Sequence, residues 1–184
     1  ARRQRQMCIR DRDKPLPETK KLEDNFKEKS YDDFDFSEKE LEYLSNLNVT
    51  AIGDSVIINA DSYIRKFIPN FYLDGEVGRD MVSGPDILTQ IKNNYGLGDI
   101  ILVSLGSNGS ANQADLEKIM QIADGRDVYF INTSHTQSYM DYVNKNLESF
   151  TEKNDKSHLV DWRSFVKDRP DPVSYTHLTL PTSD

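Results

Sequence analysis

Ser55 stands in the string Gly53-Asp54-Ser55, between an apolar run, Val49-Thr50-Ala51-Ile52, and a stretch with apolar residues at Val56, Ala60, Ile64 and Phe67. A short β-branched run followed by 3.6-residue spacing reads as strand, tight turn, helix, which puts Ser55 at a helix N-terminus. The unpaired N–H groups and positive dipole end there favour the negative charge that develops on an attacked carbonyl oxygen. Ser55 is therefore a candidate nucleophile for acyl transfer. Taken alone, the tripeptide serves equally well as a plain helix cap, with Asp54 or Ser55 as the capping residue.

Two further turns belong with the first. Asp99 to Leu105 is a near-continuous apolar run, as expected of a strand buried on both faces of a parallel sheet, and it ends in Gly106-Ser107-Asn108-Gly109. Phe71 to Asp74 reads as another short strand and runs into Gly75-Glu76-Val77-Gly78-Arg79. Ligands of open α/β sheets bind outside the carboxyl ends of the strands, so all three turns are expected on one edge. Asn108 then offers a side-chain amide and Gly78 a closely approachable backbone N–H. Asn108-Gly109 is also a common turn dipeptide with no further role required of it.

These blocks, in this order, resemble those of the SGNH, or GDSL, hydrolases: Gly53-Asp54-Ser55 the first, Gly78 the second, and Gly106-Ser107-Asn108 the third. The strings V-T-A-I-G-D-S-V, V-G-R, L-G-D-I-I-L-V-S-L-G-S-N-G and V-D-W, at Val160 to Trp162, are similar to one branch of that family. That branch is the extracytoplasmic catalytic domain of bacterial peptidoglycan O-acetyltransferases, and the likeness covers roughly residues 48 to 165.

The resemblance implies Ser55 as nucleophile, with the oxyanion held by the N–H groups of Ser55 and Gly78 and by the Asn108 amide. An acetyl-serine would pass its acetyl group to a glycan hydroxyl, that of muramic acid foremost. The donor would be delivered by a membrane-embedded acyltransferase domain that this sequence does not contain, at the extracytoplasmic face of the membrane. An SGNH esterase, with water as acceptor, and a non-catalytic glycan-binding domain are the alternatives. Asp54 is expected to order its turn, and Arg79 to face either the cleft or solvent. His135, after the fourth strand, is a secondary candidate for substrate contact or for a substitute base. His158 is read as a surface residue, and Trp162 as a packing residue rather than a sugar platform. No cofactor is implied, and neither His135 nor His158 has partners at metal-ligand spacing.

The family's fourth block is an Asp-x-x-His near the C-terminus, in which His is the general base and Asp orients it. His177 lacks it, because Ser174 stands three residues before, and Asp168 and Asp171 have the wrong offset. The block is therefore taken as absent and the catalytic domain as C-terminally truncated and inactive. Both ends look foreign as well. Arg2 to Arg12 and Val173 to Thr182 resemble translated sequencing-adapter DNA, so segments 1–12 and 173–184 are set aside as non-native.

Composition is consistent with one water-facing domain: 184 residues, 36% hydrophobic, no long apolar stretch. The net charge of -8, more negative still without the arginines of the opening segment, disfavours nucleic acid and anionic lipid as partners. The single cysteine, Cys8, excludes a disulfide framework and a cysteine metal site.

Residues 13 to 47 read as a charged linker with one short helix near Ser37 to Leu47, and 48 to 172 as the catalytic domain. Within the latter, Ser83 and Pro85 open a helix carrying Ile87, Leu88 and Ile91. Leu116, Ile119, Met120 and Ala123 mark another helix, and Tyr139, Val143, Leu147 and Phe150 a third. Strands are expected at Asp127 to Ile131 and His158 to Asp161. The alternation predicts a three-layer α/β/α domain with a flavodoxin-like parallel sheet ordered 2-1-3-4-5.

Overall fold

The computed structural model describes residues 36–134 and 139–167. The expected foreign ends, most of the linker, Cys8, His135, Asp168, Asp171 and His177 lie outside these residues.

Five strands form one parallel sheet: β1 (Val49–Gly53), β2 (Phe71–Gly75), β3 (Ile100–Ser104), β4 (Asp127–Ile131) and β5 (Ser157–Val160). Their order is β2-β1-β3-β4-β5, as the alternation predicted. Gly53 lies in register with Gly75 on one side and Ser104 on the other, so three strands end at one level. The chain leaves β1 for β2 and later returns to β3 on β1's other flank. That reversal opens a crevice at the carboxyl ends of β1 and β3.

Among the described residues six helices accompany the sheet: α1 (Glu38–Asn46), α2 (Ser55–Phe67), α3 (Gly84–Tyr95), α4 (Gln113–Ala123), α5 (Tyr139–Thr151) and α6 (Trp162–Lys167). The two faces of the sheet carry separate apolar clusters, because side chains alternate along each strand. Ile52, Ile101, Val103, Val128 and Phe130 pack against α3, α4 and α5 through Leu88, Leu116, Ile119, Val143, Leu147 and Phe150. Phe130 meets Phe150 edge to face, with ring centroids 5.9 Å apart. On the other face Val49, Ala51 and Phe71 pack against Ile57 and the partly buried Ile64 of α2. Leu47, just beyond α1, is buried in the same cluster, so the short helix expected within the linker ends against the sheet.

Local chemistry departs from expectation at three points. Ile57, not Val56, is the buried residue of the first turn of α2. Ser83 makes no side-chain cap bond to α3; its hydroxyl donates to the Asp80 carbonyl, and a 3-10 turn at Met81–Ser83, capped by Asp80, precedes the helix. Tyr139 was counted with the apolar stripe of α5, but its ring is 37% exposed and Met140 takes the buried place.

The loop after β4 is held by a reciprocal pair: the Thr133 N–H donates to Asn144 Oδ1 at 2.9 Å, and Asn144 Nδ2 donates to the Thr133 carbonyl at 2.8 Å. Both residues are buried. Asn144→Ala strands two buried backbone groups and is expected to lower stability by about 1–3 kcal/mol, read as a lower urea midpoint. An unchanged midpoint contradicts the role given to this pair.

Candidate active site

Asp54 is fully buried at the head of α2 and is the helix cap: its Oδ1 accepts the Val56 N–H at 2.9 Å. Its own N–H donates to the Ser104 carbonyl at 2.9 Å, which fixes the first turn to the end of β3. With the cap bond made by Asp54, the Ser55 hydroxyl is left uncommitted among the described residues, half-buried on the first turn of α2. The ambiguity of Gly53-Asp54-Ser55 is thereby divided between two side chains. Gly53 permits this turn sterically, since a Cβ there would fall 2.1 Å from Ile57 Cγ2.

The second turn is tied to the first by the Glu76 N–H, which donates to the Gly53 carbonyl at 3.1 Å. Gly78 is exposed and has φ +80°, in the left-handed region that side chains disfavour, so glycine suits this turn by conformation as well as by openness. Arg79 is neither solvated nor extended into open space. Its side chain is only 9% exposed, with Nη1 2.8 Å from Asp74 Oδ1 and 2.7 Å from the Asp74 carbonyl, and Nη2 3.2 Å from Glu76 Oε2. The guanidinium pins the end of β2 to the turn that follows it.

The third turn closes the set. Asn108 Nδ2 donates to Asp54 Oδ2 at 3.3 Å and to the Arg79 carbonyl at 3.2 Å. One amide thus bridges the turns after β1, β2 and β3. Ser55, Gly78 and Asn108, far apart in sequence, share the carboxyl edge at the sheet's switch point. Tyr139 was not foreseen here: its phenol donates to the Ser107 carbonyl at 2.8 Å and braces the third turn from α5. An aromatic residue opening a helix gives no signal of this in sequence.

The histidines divide differently. His135 lies outside the described residues. Asp155 stands three residues before His158, an Asp-x-x-His spacing that attention to the chain's end passes over. The fold assigns it other work. His158 Nε2 lies 2.8 Å from Asp127 Oδ1, at the start of β4, and its ring stacks on Tyr129 at 4.7 Å. His158 pairs in register with Tyr129 on the edge strand. Three strand spacings separate β5 from β1, about 14 Å. This histidine is hydrogen-bonded to the partly exposed Asp127 and is not a partner of Ser55. Hydrogen bonds from His158 and then Lys156 hold the Asp127 carboxyl below its ordinary range.

Near β5, Asn132 Nδ2 donates to Asp161 Oδ1 at 2.7 Å while its Oδ1 accepts the Arg163 N–H at 2.8 Å, joining the ends of β4 and β5. Trp162 opens α6 and stacks on Phe165 with centroids 5.5 Å apart. Among the described residues no group of three or more His, Cys, Asp or Glu is placed to hold a metal ion, and no helix is long and apolar enough to cross a membrane.

Burial raises the Asp54 carboxyl above its ordinary value, against the lowering effect of hydrogen bonds from Val56 and Ser107. The folded protein therefore holds that proton more tightly than the unfolded chain does. Asp54 contributes most below the unfolded value of 3.8, and its contribution falls as pH rises through the folded value. Stability of the native protein relative to Asp54→Asn is expected to decline from about pH 4 to neutrality, measured by urea unfolding of both. A difference that grows with pH would reverse the sign and reject the assignment.

No family model matches the chain. Over 130 residues it is 31% identical to O-acetyltransferase OatA of Staphylococcus aureus, an alignment spanning 70% of this chain and 22% of that protein. Over 114 residues it is 28% identical to peptidoglycan O-acetyltransferase OatA of Listeria monocytogenes, covering 62% of this chain and 18% of the relative. The chain thus spans about a fifth of the length of the curated relatives it matches. Its fold is similar to the C-terminal catalytic domain of Streptococcus pneumoniae peptidoglycan O-acetyltransferase A, solved with a methylsulfonyl adduct. The TM-score is 0.60 at 20% identity, over 70% of this chain and 76% of that one. By sequence and by fold, then, the chain is a homologue of the peptidoglycan O-acetyltransferases and carries an α/β domain of the SGNH kind.

Proposed function

We propose that this domain transfers O-acetyl groups to a peptidoglycan glycan, muramic acid foremost, through an acetyl-serine on Ser55. The observation that carries the reading is the Asn108 amide, held between Asp54 and Arg79 beside the N-terminus of α2. In the first step Ser55 Oγ attacks the acetyl carbonyl carbon of the donor, its proton passing to a base and the donor's oxygen departing. The developing oxyanion is met by the N–H groups of Ser55 and Gly78, with the helix dipole behind them, and by Asn108 Nδ2 once one of its two long bonds, to Asp54 Oδ2 or to the Arg79 carbonyl, is exchanged for it. In the second step the acceptor hydroxyl attacks the acetyl-serine, the new ester forms, and Ser55 Oγ recovers a proton. Asp54 positions this machinery and does not take the serine proton.

The relatives' names support the acetyl group and the peptidoglycan acceptor. A membrane acyltransferase domain delivering the donor, and a location on the extracytoplasmic face, belong to the same reading. Among the described residues the only histidine is His158, turned to Asp127, so this 184-residue chain by itself is expected to turn over slowly. Loss of a triad base lowers rate by several powers of ten yet leaves the oxyanion donors working.

Incubation with an activated acetyl ester is expected to add one acetyl mass to the peptide containing Ser55, slowly, and not at all in Ser55→Ala. Asn108→Ala is expected to slow the labelling by about 10²–10³-fold, as loss of one oxyanion donor does elsewhere. A domain appended with an Asp-x-x-His segment should turn over faster, to sugar if it is a transferase and to water if an esterase. Labelling that persists in Ser55→Ala would falsify the assignment.

A further inference from the structure

Beside the third turn lies an open cleft of about 230 Å³, lined by Asn108, Gly109, Ser110, Tyr139, Tyr142 and Val143. The last three recur at i, i+3 and i+4 along α5 and so share one helix face. We propose that this cleft seats one hexopyranose ring of the glycan acceptor; the assignment rests on the acetyl-transfer reading of Ser55.

Charge narrows the occupant first. None of the six lining residues is ionisable near neutral pH, in a chain of net charge -8. A phosphate or nucleotide would find no cation here, and an amine no carboxylate. The surfaces offered are instead two phenol rings, an amide and a hydroxyl, over the buried Val143. A sugar ring has the complementary character, with apolar C–H faces and a rim of hydroxyls. Aromatic faces cover the former while amide and hydroxyl groups satisfy the latter.

Size and rigidity agree. The volume falls below the range of about 300–1,000 Å³ usual for drug-sized ligands, and so suits a single ring of a longer chain that continues along the surface. Tyr139 is 37% and Tyr142 61% exposed, yet Tyr139 is fixed by its 2.8 Å hydrogen bond to the Ser107 carbonyl. A ring held before binding loses less freedom when the ligand arrives. Position completes the case. Asn108 is both a wall of the cleft and a hydrogen-bond partner of Asp54, the neighbour of Ser55. A sugar seated there lies next to the residue that would carry the acetyl group.

The test is a titration of the isotope-labelled 184-residue protein with a β1,4-linked N-acetylglucosamine oligomer, followed by backbone amide shifts. Shifts centred on Asn108 to Ser110 and Tyr139 to Val143 are expected. Tyr142→Ala should weaken binding about 10-fold, a loss of about 1.4 kcal/mol, while Tyr142→Phe keeps the ring and should bind within about 2-fold of the native protein. No binding, shifts centred elsewhere, or an unchanged affinity in Tyr142→Ala overturns the proposal. Acetylation of Ser55 is read separately by mass. Sugar binding without acetyl-serine would reject the catalytic reading and leave a glycan-binding cleft, whereas acetyl-serine without sugar binding would reject the cleft alone.

Discussion

A buried carboxylate holds this molecule's working edge together. Asp54 is removed from water at the head of α2, where an unpaired charge would cost several kcal/mol. Its partners are the Val56 N–H and the Asn108 amide, while its own N–H reaches back to the Ser104 carbonyl. Each bond recruits a different piece of the chain: the helix, the third turn and the end of β3. Because Asn108 also donates to the Arg79 carbonyl, the second turn is bound into the same set. The cap of one helix is therefore also the joint of three loops.

The sheet makes that joint possible. With β1 central, flanked by β2 and β3 in matched register, the turns that leave these strands start from one level and within one or two strand spacings of each other. Small residues permit the close approaches. A Cβ on Gly106 would lie 2.6 Å from Thr133 Cγ2, and one on Gly109 3.1 Å from Asp80 Cβ. Arg79 supports the second turn from beneath with its guanidinium engaged by Asp74 and Glu76, although its buried Nε finds no partner among the described residues. The result is an edge held in place by backbone and short side chains before any ligand arrives.

Histidine shows how little spacing means without placement. Asp155-Lys156-Ser157-His158 satisfies an Asp-x-x-His pattern in letters. Asp155, however, lies in the turn before β5, and the fold puts His158 on the edge strand in contact with Asp127 and Tyr129. The same four letters at the end of a loop over the first turn would be a base and its orienting acid; on β5 the histidine is hydrogen-bonded to Asp127 instead.

Much of this was legible in the sequence because it is local or periodic. The strands, the principal helices and the 2-1-3-4-5 order follow from apolar runs, 3.6-residue stripes and the rules for parallel crossovers. Gly53-Asp54-Ser55, Gly78 and Asn108 were visible as turns at strand ends, so their shared edge followed from topology. The tertiary structure decided what depends on partners distant in the chain. Composition did not reveal that Asp54 rather than Ser55 caps α2, that Arg79 turns onto Asp74 and Glu76, or that Tyr139 leaves the apolar stripe to brace Ser107. A hydrogen bond is satisfied by whichever group the fold brings within about 3 Å, and sequence separation carries no record of that distance.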